Sequence, residues 1–118
     1  MCGRFTLQTP ESEISKAFNL APAGWFELSP RYNIAPSQDI LIIRDSESGH
    51  ELTSARWGLV PHWSKEPQTK YATINARIET VAEKPTYRTP FQRHRCLIPA
   101  DGFYEWKQVN GHKIPHYI

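Results

Sequence analysis

The sequence is poor in the features that would assign it quickly to a class. Of 118 residues only two are cysteines, Cys2 and Cys96, and only one is methionine. A single possible pair of thiols cannot staple a small secreted scaffold, which depends on several bridges. No apolar run approaches the about 18 residues that a membrane-spanning helix needs, so no membrane partner is expected. With Met1 taken as the start, no leader precedes Cys2, and a reducing cytoplasm is the expected compartment. Strong charge is also missing. The formal net charge is +2, which permits nucleic-acid binding only through a local cluster. There is no C-x-x-C and no H-E-x-x-H. The five histidines are scattered, and His94 and Cys96 stand close without further ligands. No metal and no cofactor are expected. Phosphate-binding glycine loops and the G-x-S-x-G elbow are absent too.

What is present suits one compact domain spanning residues 1–118. Hydrophobic residues make up 39%, with four Trp and five Phe to fill a core. Ten Pro and six Gly demand many turns and short helices. Ile14, Ala17 and Phe18 recur at helical spacing behind Pro10, which predicts a helix over Glu11–Asn19. The stretch Leu20–Pro30 reads as a loop. "RYNIAPSQ" (31–38) reads as extended and then turning. "DILIIRD" and "ELTSARWGLV", joined through "SESGH", predict a hairpin. "PHWSKEPQTK" reads as a loop, Tyr71–Ala76 as extended and Glu79–Lys84 as helical. From Arg95 onward the pattern is strand, turn, strand, an Asn-Gly turn and a last strand in "KIPHYI". Cys96, before Leu97 and Ile98, reads as a buried strand residue. An apolar strand with an open edge invites pairing. The edge near Lys113–Ile118 is therefore expected to meet another chain or the rest of a longer protein.

Three groups of residues carry chemistry. Cys2 stands directly behind the initiator methionine, and a small second residue favours removal of that methionine. Cys2 would then present a free α-amine beside its own thiol. An α-amine titrates only slightly above neutral pH, so a useful fraction is nucleophilic. The amine can attack an aldehyde to give an imine, and the thiol can close a five-membered thiazolidine on the same carbon. Effective molarities of about 10⁵ M are attainable for such well-oriented internal attacks. On residue type alone, a small buried side chain is the commoner place for such a cysteine. Glu105 lies between Tyr104 and Trp106; partial desolvation there would suit it to proton transfer, while strand alternation would also allow it a solvent-facing place. Arg4, Arg31, Arg56, Arg77, Arg88, Arg93 and Arg95 interleave with Trp57, Trp63, Phe91 and Trp106. That mixture suits phosphates and stacked bases of a single strand, or a solvated surface over an aromatic core.

The segments "MCGRF", "RYNIAPSQ", "WGLVPHW", "INARIETV" and "CLIPADGFYEWK" resemble, in order and spacing, the SRAP (SOS-response-associated peptidase) family of abasic-site-processing proteins. The resemblance covers nearly the whole chain. It implies an α+β fold built on a curved, barrel-like antiparallel sheet with short flanking helices, of which this chain matches the N-terminal part. It also implies covalent capture of abasic sites in single-stranded DNA through Cys2 after Met1 is released. Asn75 would position the terminal amine and the opened sugar, and Glu105 would assist proton transfer. Arg4 and Arg77 would grip flanking phosphates. Trp63 and Trp106 would shape the DNA-facing surface, with Asn33 and Pro36 lining the same cleft. The protein would be cytoplasmic, and nucleoid-associated when bound to DNA. A further family histidine belongs to a segment resembling His-x-Arg-Met-Pro. None of His50, His62, His94, His112 or His116 lies in one, so none is assigned that role. The readings that compete are a cysteine peptidase or N-terminal-nucleophile hydrolase, and a non-catalytic single-strand-binding remnant.

Overall fold

The computed structural model describes residues 2–21, 29–66 and 73–118. Its elements run β1 (Phe5–Leu7), α1 (Glu11–Ala17), β2 (Arg31–Ile34), β3 (Asp39–Ser46), β4 (Gly49–Arg56), α2 (Pro85–Arg93), β5 (Cys96–Leu97), β6 (Gly102–Val109) and β7 (His112–Tyr117). Every strand pair is antiparallel. One sheet has the order β2-β1-β6-β7 and the other the order β4-β3-β5. The result is a curled half-barrel of antiparallel sheet with two short helices, as expected for the fold class. The curl stays open: the radius of gyration is 16.0 Å, against about 13 Å for a compact domain of this length.

The core is small and lies between the two sheets. Ile40, Leu41, Ile42 and Ile43 form an unbroken buried run on β3, joined by Leu52 of β4, Ile34 of β2, Ile14 of α1, and Phe5 and Leu7 of β1. An unbroken apolar run means that β3 is covered on both faces, where a half-exposed strand would alternate. All three residues of β1 are buried, including Thr6 at 1% exposure. Fully burying a large apolar side chain contributes roughly 1.5–3 kcal/mol, so this short strand carries far more than its length suggests.

Local chemistry accounts for most element ends. α1 opens behind Pro10, with Glu11 and Glu13 in its first turn and Lys16 in its last, complementing the helix dipole. It stops sooner than the spacing of apolar residues predicts. Asn19 adopts φ 53°, and the Leu20 NH reaches back to the Ser15 carbonyl at 2.8 Å, a left-handed helix end. The β6–β7 turn is Asn110-Gly111 with φ 49° and 82°, the conformation that a two-residue hairpin of matching twist requires.

Three expectations need correction. The residues Glu79–Lys84 form turns, and the helix begins one step later at Pro85. A residue before proline is pushed out of helical conformation, whereas proline itself fits a first helical turn; Lys84 accordingly has φ −63° and ψ 127°. Residues 73–76 form no strand; the start of that predicted segment, Tyr71 and Ala72, lies outside the described residues, as do 22–28 of the predicted loop and 67–70 of the next. Cys96 is exposed, because β5 is a two-residue edge strand; partial burial of its thiol still pushes its pKa up. The expected last strand in "KIPHYI" is present. β7 pairs with β6 from Val109↔His112 to Tyr104↔Tyr117, although β7 is itself an edge of its sheet.

Tyr117 ties three strands together. From β7 it reaches Thr6 of β1, with the two hydroxyls 2.9 Å apart. Between them runs Gly102 of β6. A Cβ on Gly102 would collide with the Tyr117 ring and hydroxyl and lie 2.8 Å from the Ile118 carbonyl oxygen. A second clasp joins the ends of β1 and β6. The Asp101 carboxylate accepts from the Thr9 hydroxyl and from the backbone NH groups of Gln8 and Thr9.

These contacts make two predictions. Gly102→Ala should destabilise the fold by about 1–3 kcal/mol through overpacking, read as a lowered urea midpoint with an unchanged slope. The Thr9 hydroxyl foremost, then the Gln8 NH, hold the Asp101 carboxyl below its ordinary pKa. Its contribution to stability is therefore complete above the unfolded aspartate pKa and is lost as pH falls through the lowered folded value. The stability gap between wild type and Asp101→Asn, measured by denaturant titration, should be present at neutral pH and close in acid.

Candidate functional site

Cys2, Gly3 and Arg4 lead into β1, whose two neighbours decide what surrounds them. On one side β2 sets Ile34 opposite Phe5, bringing Asn33 beside Arg4. On the other, β6 sets Phe103 opposite Phe5, and the Tyr104 NH donates to the Arg4 carbonyl at 2.9 Å. Glu105 is the next residue along β6, toward the Cys2 end of the segment. A chain start without neighbours would fray; this one is flanked by two strands and rooted in the core.

Cys2 is half-buried and packs against the core cluster. Its thiol lies 3.6 Å from the Arg4 carbonyl, toward which it can donate weakly. Its own carbonyl accepts from Asn75 Nδ2 at 3.1 Å. Those two contacts hold the side-chain torsion and the direction of the carbonyl. With Met1 gone, little else remains to be fixed in a terminal residue. Arg4 Nη1 donates to Asn33 Oδ1 at 2.8 Å. Cys2, Arg4, Asn33 and Asn75 are thus joined in one cluster by direct hydrogen bonds.

The "RYNIAPSQ" segment holds itself in shape. Arg31 Nη2 donates to Gln38 Oε1 at 2.7 Å, and the same oxygen accepts from the Ala35 NH at 3.1 Å. Ser37 takes φ 72°, and its NH donates to the Trp57 carbonyl at 2.9 Å, while the Trp57 NH donates to the Gln38 carbonyl at 2.9 Å. Trp57 in turn meets Phe5 edge to face, with ring centroids 5.3 Å apart. Pro36 sits half-buried in this turn. The signal for Arg31 and Gln38 was in the sequence: a fork-shaped donor and an amide bracket the motif at its two ends.

Among the described residues, no hydrogen bond joins Arg77, Trp63 or Trp106 to the Cys2 cluster. Glu105 is half-buried and engaged in an interaction of its own. Arg77 is exposed two residues beyond Asn75. Trp63 is 53% exposed and packs edge to face on His62. Trp106 is 40% exposed on β6. Among the described residues, no three His, Cys, Asp or Glu side chains are grouped so that they could hold a metal ion, and no helix is long and apolar enough to cross a membrane.

The family model described as SOS response associated peptidase (SRAP) matches residues 1–118. The chain belongs to the SRAP family. It is 49% identical over 122 residues to the Bacillus subtilis (strain 168) protein YoqW, named an abasic site processing protein, a match covering 100% of this chain and 54% of that one. It is 32% identical over 142 residues to the Xenopus tropicalis abasic site processing protein HMCES, covering 100% of this chain and 42% of the other. A crystal structure of a Bacteroides thetaiotaomicron protein superimposes with TM-score 0.82 at 26% identity, over 98% of this chain and 53% of that one. A phage-related protein from Bordetella bronchiseptica gives TM-score 0.72 at 30% identity, over 98% of this chain and 54% of the other. The chain spans about half the length of the curated relatives it matches.

The motif's self-bracing makes its own prediction. Gln38→Ala removes the acceptor shared by Arg31 and Ala35, and should lower stability by about 1 kcal/mol, as read from the midpoint of chemical denaturation.

Proposed function

We propose that this SRAP chain processes abasic sites in single-stranded DNA by covalent capture through Cys2. An abasic sugar equilibrates between a closed ring and an open aldehyde. With Met1 released, the Cys2 amine adds to the aldehyde carbon, and loss of water gives an imine. The thiol then adds across the carbon–nitrogen double bond, its proton passing to nitrogen, and a thiazolidine results. Asn75 orients the nucleophile and Glu105 relays protons. Arg4 and Arg77 hold the flanking phosphates. Asn33 and Pro36 line the cleft, while Trp63 and Trp106 offer faces to unstacked bases. In this reading the strand is shielded from β-elimination, and the protein works in the cytoplasm at the nucleoid. The outer edge of β7 is the place at which a further segment or chain would pair.

The observation that carries this reading is the hydrogen bond from Asn75 Nδ2 to the Cys2 carbonyl at 3.1 Å. It fixes the terminal residue while leaving both reacting groups of that residue unspent. The names of the relatives, abasic site processing proteins, support the same substrate. The peptidase in the family description favours a second reading, in which Cys2 serves peptide hydrolysis, with release of Met1 as its simplest instance.

Mixing the purified protein with an oligonucleotide bearing one abasic site separates these readings on a denaturing gel. The expected result is a slow-migrating covalent band that Cys2→Ala abolishes and Cys2→Ser reduces to a labile imine-type adduct. Binding should be tighter to single strand than to continuous duplex and should weaken with salt, since phosphate contacts release counterions. A stable adduct of unchanged yield in Cys2→Ala overturns the capture mechanism. Cleavage of peptides with no DNA adduct favours hydrolysis.

A further inference from the structure

Asn75 lies in a segment without regular secondary structure. Such a segment needs outside anchors if one of its side chains is to keep a fixed direction. Two are present. Upstream, Leu59 and Thr73 exchange hydrogen bonds: the Leu59 NH donates to the Thr73 carbonyl at 3.3 Å, and the Thr73 hydroxyl donates to the Leu59 carbonyl at 2.6 Å. The second anchor falls on Asn75 itself. The phenol of Tyr87, in the first turn of α2, donates to the Asn75 carbonyl at 3.2 Å. α2 contributes no fully buried residue, so a directional bond weighs more in its docking than apolar packing does.

We propose that Tyr87 is a positioning residue for Cys2, acting through Asn75. The phenol fixes the Asn75 backbone, the fixed backbone aims Nδ2 at the Cys2 carbonyl, and that bond sets the terminal residue for attack. Proline helps to hold the phenol in place. Pro85 opens α2 with a preset backbone torsion, so the rim of the helix that carries Tyr87 begins from a restricted geometry. The path from α2 to the nucleophile has two bonds, Tyr87 to Asn75 and Asn75 to Cys2, and each can be cut separately. The inference rests on the capture reading for its kinetic consequence and on the two hydrogen bonds alone for its structural one.

Tyr87→Phe removes a single hydroxyl and keeps the ring. Single-turnover capture of an abasic single strand at saturating DNA should slow by about threefold to tenfold, the size of one net hydrogen bond. The DNA concentration giving half the maximal rate should stay unchanged, because Tyr87 acts on the nucleophile and not on the strand. In an Asn75→Ala background the same change should have no further effect, since the path is already cut. A wild-type rate in Tyr87→Phe, or an equal loss in both backgrounds, overturns the proposal. A readout without DNA separates it from the capture reading: the Asn75 side-chain NH₂ resonances should move in Tyr87→Phe. Unmoved resonances overturn the positioning role whatever the DNA result. Resonances that move in a protein whose wild type captures nothing support the positioning role and sink the capture reading alone.

Discussion

Three buried residues, Phe5, Thr6 and Leu7, form the strand on which the rest of this molecule depends. β1 is central to its sheet, with β2 on one side and β6 on the other. It contributes Phe5 and Leu7 to the core, and Thr6 to a contact with Tyr117 that crosses β6. Burial of so short a strand is favourable only because both neighbours satisfy its backbone while the second sheet covers its side chains. The same arrangement fixes the three residues that precede it. The first residues of a chain are normally among its least ordered parts. Cys2 is separated from buried Phe5 by only two residues.

The site is assembled from distant stretches by the sheet order, and each joint is a hydrogen bond with a definite direction. Arg4 faces Asn33 because β1 lies beside β2. Tyr104 meets the Arg4 backbone because β1 also lies beside β6. Asn75 arrives from irregular chain and is held there by Leu59, Thr73 and Tyr87. The division of labour is physical. The strands supply position at low entropic cost, and the irregular segment supplies the amide that donates to the Cys2 carbonyl.

Much of this was legible in the residues, for reasons that differ from place to place. The β3–β4 hairpin and the Asn110-Gly111 turn were readable because their signals are local: an unbroken apolar run followed by a turn, and a dipeptide whose backbone preference is strong. The start of α1 was readable for the same reason. β1 was not, because a strand of three residues between charged and polar neighbours has no period to detect; only its partners make it a strand. α2 was misplaced because its apolar residues are few and its boundary is set by Pro85, which ends one conformation and begins another. Cys2 was singled out by its place behind Met1 and Glu105 by its aromatic flanks, while the role given to Asn75 came from motif resemblance; no local signal joins Cys2 to Asn75 across the intervening chain. Tyr87 had no signal of any kind. Its part becomes visible only when α2 is seen beside the irregular segment.

The partner that orients Arg4 is an amide. Asn33 accepts a hydrogen bond from the guanidinium and so restricts a long side chain that would otherwise sample many rotamers. A carboxylate at the same place would orient Arg4 at least as well, but it would cancel the positive charge and repel an approaching phosphate. The neutral carboxamide separates the two effects. It removes conformational freedom without cancelling the charge, so an ordered side chain and an uncompensated contact coexist at this bond. A side chain held this way is a cation stored at full strength.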